Sequence, residues 1–246
     1  MKHNKTNTHL KKGSVLFTTA ILIGGIVTGV YLEKGATKMW GEEAGSFMLG
    51  LARNPQTVGA FAPCSTYTAV ELSRFVVPYE DRKIRVLEVG AGTGVVTKEI
   101  IKRLEGYNYE FDVIEIDPDF CKTLYKRFGY NRNVSINAID ILQWAPEKKY
   151  DIIISILPYS NFSEDFVKSV LHKFTNLLKE NGRISYVKTR VPEIMRRFFL
   201  RKRPEEYLRR EALIENFKNK YLDEEVLILK NILPLDIIHL KVNTTG

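Results

Sequence analysis

The sequence has 246 residues, with 44% hydrophobic and 27% charged side chains. Those proportions exclude a disordered main body and suit one α/β domain with an extension. A net charge of +8 and a pI near 9.3 point to anionic partners, lipid head groups or nucleic acid, without choosing between them. The two cysteines, Cys64 and Cys121, exclude a disulfide framework and, without a histidine cluster, a metal site. They read as reduced cytoplasmic thiols.

Residues 1–13 form a basic tail with Lys2, Lys5, Lys11 and Lys12. An uncharged run of 18 residues follows, Val15 to Leu32, just long enough for a helix to cross a hydrocarbon core. A membrane-anchoring helix is therefore expected over 14–33. Gly25 and Gly29 form a small-xxx-small pair that would let two such helices associate closely. An amphipathic membrane or acceptor segment is expected over 34–80. Its first helix, 41–54, carries Ala44, Phe47, Met48, Leu51 and Ala52 at helical spacing, and Asn54-Pro55 ends it. Ser65 reads as the N-cap of a second helix bearing Ala69, Leu72, Phe75 and Val76, stopped by Pro78.

From Asp81 to the C-terminus strands and helices alternate, as expected for one α/β domain over 81–246. Strands are expected at Ile84–Val89, Phe111–Ile116, Val134–Asn137, Asp151–Ile156, Arg183–Val187, Glu225–Lys230 and Ile237–Val242. Helices are expected at Val95–Leu104, Phe120–Phe128 and Glu164–Leu178. This order predicts a mostly parallel seven-stranded, Rossmann-like sheet with helices on both faces.

The sharpest motif is VLEVGAGTG, Val86 to Gly94, where an apolar strand runs through Gly90-x-Gly92-x-Gly94 into a helix. Glycines there allow a tight turn and a ligand lying close to the backbone. The next strand ends in VIEID, placing Glu115 where an acid can accept from both ribose hydroxyls; Asp117 is its rival on the same face. The G-x-G-x-G spacing after Glu88 resembles the class I methyltransferases that use S-adenosylmethionine (AdoMet). That resemblance implies a methionine-contacting loop of Glu88, Gly90, Ala91, Gly92 and Gly94, and a ribose site at Glu115 and Ile116. It also implies an adenine site near Asp140 and Ile141, in NAIDIL after the third strand.

At the end of the fourth strand, SILPYSNF resembles the Asn-Leu-Pro-Tyr turn of rRNA adenine N6-dimethyltransferases, but Ile156 stands where that family has Asn. The side-chain carbonyl that would hold an adenine amine is lost, which counts against nucleic acid as substrate. Ser46 to Leu72 is similar to the N-terminal segment of bacterial phospholipid N-methyltransferases. It matches N-P-x-x-V-G-A-x-x-P at Asn54, Pro55, Val58, Gly59, Ala60 and Pro63, with Cys64 replacing a serine. Asn231-Ile-Leu-Pro234 fits as well. This resemblance implies AdoMet-dependent methylation of a membrane phospholipid amine, phosphatidylethanolamine and its methylated derivatives. An rRNA adenine methyltransferase, or an anchored enzyme acting on a small molecule or protein, is the alternative. The candidate acceptor residues are Leu157, Pro158, Tyr159 and Tyr67, with Phe162 as a further aromatic face, since aromatic faces bind a quaternary ammonium product. The basic segment Arg196–Arg203, RRFFLRKR, suits anionic head groups. The N-terminal lysines favour an N-in, C-out orientation, whereas AdoMet requires the catalytic domain to face the cytoplasm; a shallow interfacial anchor satisfies both.

Overall fold

The computed structural model describes residues 64–190, 204–231 and 234–243. The expected membrane segment with Gly25 and Gly29, the helix at 41–54 and the basic run Arg196–Arg203 lie outside the described residues. Among the described residues, no helix is long and apolar enough to cross a membrane.

The described chain opens with helix α1, Thr66–Leu72. Ser65 is its N-cap, its hydroxyl accepting from the Thr68 N–H at 3.2 Å. The helix stops earlier than the apolar spacing predicts. The Ser73 hydroxyl donates back to the Ala69 carbonyl at 2.7 Å, and Arg74 and Val76 close tight turns short of Pro78. Ala69, Leu72 and Val76 are buried in the core, so the packed body takes in residues ahead of the expected boundary at Asp81.

Seven strands follow: β1 (Ile84–Val89), β2 (Tyr109–Glu115), β3 (Val134–Ala138), β4 (Tyr150–Ser155), β5 (Leu178–Thr189), β6 (Leu222–Ile228) and β7 (Leu235–Val242). They form one sheet in the order β3-β2-β1-β4-β5-β7-β6. β1 to β5 are parallel, and β7 runs antiparallel between β5 and β6. The helices are α2 (Val95–Leu104), α3 (Pro118–Phe128), α4 (Glu164–Leu177) and α5 (Pro204–Tyr221).

Alternation along the central strands sorts side chains into two layers. Ile84, Val86, Ile152 and Ile154 pack with α1, α2 and α3. Leu87, Val89 and Ile153 pack with α4 and α5. With both faces covered, the strands read as nearly unbroken apolar runs. Asp151 pins the opposite end of the sheet from the site. It accepts from Arg85 N–H at 2.8 Å, Lys179 at 2.7 Å and Arg82 at 2.7 Å. Burial works against its charge, yet these donors outweigh burial and hold its pKa below the usual carboxylate value.

Helix α5 is not anticipated by the sequence reading, for a physical reason. Its buried positions are Arg210, Ile214 and Lys218, four residues apart, so two of the three residues on the inward stripe are charged. Arg210 donates to the Phe162 carbonyl at 3.0 Å, and Lys218 donates to Glu225 at 3.1 Å. Charged residues satisfied by a carbonyl and a carboxylate break up the apolar periodicity that Leu213, Ile214, Phe217 and Tyr221 would otherwise show.

Candidate active site

β1 is followed in sequence by β2 on one side, and β4 lies on its other side, so the loops leaving β1 and β4 part at the topological switch point of the sheet. The cleft is built there. Gly90 N–H donates to the Ile114 carbonyl at 2.9 Å, and Ile156 N–H donates to the Val89 carbonyl at 2.9 Å, tying the ends of β1, β2 and β4 together.

The glycines of this loop serve different ends. Gly92 has φ +55°, and a Cβ added there would meet nothing within 4 Å, so open space lies over the loop. Gly94 has φ +83°, and a Cβ would sit 2.5 Å from Phe128 and 2.8 Å from Leu124. Its missing side chain lets the start of α2 press against α3. A Cβ on Gly90 would meet Leu157 at 3.2 Å, so the turn after β4 packs on the glycine loop. Ala91 is buried between these contacts.

Glu115 is the last residue of β2. One carboxylate oxygen accepts from Gly92 N–H at 2.8 Å, and the other from Ile116 N–H at 2.8 Å and Asp117 N–H at 2.9 Å. Asp117, its sequence rival, is the N-cap of α3, accepting from Asp119 N–H at 2.9 Å and Phe120 N–H at 3.1 Å. That leaves Glu115 as the acid facing the loop. Ile116, beside it, is 62% exposed, an open apolar surface at a strand tip. Asp140 accepts from Leu142 N–H at 2.8 Å and shapes the turn after β3, while the Ile141 side chain is buried in the layer under α4.

Glu88 stands on the β1 face where alternation otherwise puts apolar residues. It is fully buried; one oxygen accepts from the Thr97 hydroxyl at 2.7 Å and the other has no hydrogen-bond partner among the described residues. Burial pushes its pKa up to about 8, the Thr97 hydrogen bond opposes this, and the nearby Glu115 charge adds to it. Burial raises the Glu115 pKa too. Thr97, one turn into α2, is a site residue the sequence reading did not name; its signal is its place on the sheet-facing side of the helix that follows Gly94.

On the β4 side, Leu157 and Pro158 are partly exposed and Tyr159 is buried. The Tyr159 hydroxyl shares a 2.8 Å hydrogen bond with Ser155, and its ring packs edge-on against Tyr186 at 5.7 Å. Burial pushes its pKa well above the usual tyrosine value, so it is a neutral phenol. Phe162 packs on Phe166 at 4.7 Å. Tyr67, on α1, is 46% exposed, and the Lys230 ammonium lies 4.6 Å from its ring centroid.

Two buried acids with raised pKa values form a site short of positive charge. With the open space over Gly92 and the apolar Ile116 surface, it fits a cationic nucleoside such as AdoMet, which Glu115, the glycine loop, Ile116 and the turn at Asp140 could hold. The fold and this loop define a class I AdoMet-dependent methyltransferase, and its cofactor is S-adenosyl-L-methionine. The chain belongs to the ribosomal RNA adenine dimethylase family, whose profile matches residues 69–196, just over half its length.

Its relatives act on diverse acceptors. It is 29% identical over 135 residues to malonyl-[acyl-carrier protein] O-methyltransferase 1 of Ilyobacter polytropus, covering 55% of this chain and 48% of that one. The chain thus spans about half the length of that relative. It is 28% identical over 150 residues to ornithine lipid N-methyltransferase of Singulisphaera acidiphila, covering 58% of this chain and 76% of that one. The crystal structure of the N-methyltransferase NodS of Bradyrhizobium japonicum with S-adenosyl-L-homocysteine superposes with a TM-score of 0.54 at 14% identity. That match covers 72% of this chain and 84% of NodS and shows a shared fold.

Proposed function

We propose that this chain transfers methyl groups from AdoMet to the amine of a membrane phospholipid, phosphatidylethanolamine and its methylated derivatives. The observation that carries this reading is the end of β4. Ile156 follows Ser155 there, so the turn packed on the glycine loop offers no side-chain amide to hold an adenine amine. The similarity to an ornithine lipid N-methyltransferase supports it, because that relative's acceptor is also a lipid amine.

Bound AdoMet supplies an electrophilic methyl group on a sulfonium. The chain's own task is then alignment and exclusion of water, which together supply several kcal/mol toward a bimolecular transfer. Leu157 forms an apolar wall against Gly90, with Pro158 next to it in the turn. Tyr159, anchored by Ser155 and Tyr186, fixes the shape of that wall. Tyr67 presents an open ring that already holds an ammonium, that of Lys230, and the same face suits a methylated amine. The basic segment Arg196–Arg203 draws anionic head groups, and the N-terminal apolar run holds the domain at the bilayer with its cleft on the cytoplasmic side.

A second reading, methylation of an rRNA adenine, is favoured by the family profile and by Leu157-Pro158-Tyr159. Incubation with radiolabelled AdoMet, phosphatidylethanolamine vesicles and total RNA separates the two. Label is expected in mono-, di- or trimethylated lipid. Label in RNA alone would replace this reading with the second.

A further inference from the structure

At the start of α1 a buried polar cluster joins the two ends of the described chain. Ser65 and Thr68 are 1% and 0% exposed. Their hydroxyls lie 3.0 Å apart, and Thr68 N–H donates to the Ser65 hydroxyl at 3.2 Å. These contacts leave the Ser65 N–H over. It donates at 2.9 Å to the side-chain oxygen of Asn231, 166 residues away in the turn between β6 and β7. The Thr68 hydroxyl reaches the same oxygen at 3.4 Å. An N-cap residue's own N–H has no partner inside its helix, so here it is met by a side chain from the far end of the sheet.

The neighbours of this contact tie it to Tyr67, to β5 and to the core layer. Lys230, one residue before Asn231, lies over the Tyr67 ring. Past the turn, the Pro234 carbonyl accepts from Arg190 N–H at 3.0 Å, tying the turn to the end of β5. Cys64, one residue before Ser65, packs on the core layer that includes Ala91 of the glycine loop. The start of α1 is therefore seated on this core layer on one side and tied by Asn231 to the β6–β7 turn on the other.

We propose that Asn231 is a positioning residue: its carboxamide oxygen fixes the start of α1, and with it Tyr67, against the β6–β7 turn, setting the acceptor wall of the cleft. This rests on the proposed function, in which Tyr67 faces the methylated amine of the acceptor. The hydrogen bonds of Ser65 and Asn231 run to α1 and the β6–β7 turn, so the effect is expected on the acceptor more than on AdoMet.

The test compares full-length Asn231→Leu and Asn231→Asp with the wild type. The leucine removes the acceptor oxygen at similar volume; the aspartate keeps an oxygen in place. In Asn231→Leu, kcat/KM for phosphatidylethanolamine should fall about tenfold and amide exchange at residues 65–68 should quicken about tenfold, the size of one lost buried hydrogen bond. AdoMet affinity by calorimetry should stay within about twofold, and Asn231→Asp should recover most of the loss. Unchanged exchange at 65–68 would overturn the proposal, as would an Asn231→Leu protein that loses AdoMet affinity and thermal stability in step with rate. If the wild type methylates RNA and not lipid, the lipid reading fails, while Asn231 is still judged by the same rates on RNA. If the wild type methylates neither, the exchange rates decide.

Discussion

The two halves of the cleft are built on different principles. The cofactor half is local: Glu88, the glycine loop, Thr97, Glu115 and Asp117 lie within 30 consecutive residues and are joined mostly through backbone N–H groups. The proposed acceptor half is assembled at a distance, from the turn after β4, the start of α1 and the β6–β7 turn, joined by contacts between residues far apart in sequence such as Ser65 N–H to the Asn231 side chain. A backbone-built half holds one ligand in one pose. A half built from segments far apart in sequence can change acceptor without disturbing the cofactor, which accords with the spread of acceptors among relatives that share this fold.

If the cofactor half is a rigid local unit, its most crowded point should be the most costly to alter. Gly94→Ala places a methyl group against Phe128 and Leu124 at a left-handed φ. Overpacking and backbone strain together predict a loss of about 2–4 kcal/mol of stability, read by urea unfolding. A midpoint equal to the wild type's would mean that the loop and α3 yield easily and the half is not rigid.

The buried acid gives a pH-dependent version of the same test. The folded Glu88 pKa, about 8, lies above the ordinary 4.5, so the folded state keeps a proton that the unfolded state gives up. Stability from this group is therefore complete below about pH 4.5 and is lost as pH rises through about 8. Glu88→Gln removes that dependence. In cofactor-free protein the unfolding midpoint of the wild type should fall relative to Glu88→Gln between about pH 4.5 and pH 8 and run parallel to it above that. Parallel curves across that range would show that Glu88 is not held protonated.

The acceptor half predicts a milder response. Ser65→Ala removes the α1 cap and should cost about 1 kcal/mol, with AdoMet affinity unchanged. A large drop in AdoMet affinity in this variant would show that the two halves are coupled after all.

How much of this was legible in the sequence follows the same division. β1 and α2 match their sequence expectation residue for residue, because the glycine loop punctuates both. The choice of Glu115 over Asp117 rested on strand position, and the structure gives Asp117 to the α3 cap. β5 begins five residues before its expected start, because Leu178 is followed by the polar stretch Lys179 to Gly182, which masks strand alternation. α5 escaped notice because Arg210 and Lys218 occupy its inward face. Tyr159 was read as an aromatic face, and its ring proves to be buried against Tyr186, leaving Tyr67 as the more open ring. The bond between Ser65 and Asn231 has no sequence periodicity to betray it; only the sheet order brings those segments together.

The most direct test of the account is calorimetric titration of AdoMet into the full chain and its Gly92→Arg variant. Gly92 has open space above it, so the arginine should fill the cofactor's place, at a cost of about 1–2 kcal/mol for its left-handed φ. The account predicts measurable binding to the wild type and none to the variant, which should remain folded at the titration temperature with a modestly lower unfolding midpoint. Equal AdoMet affinity in the two proteins would contradict it, because the cofactor would then bind somewhere other than the loop between β1 and α2.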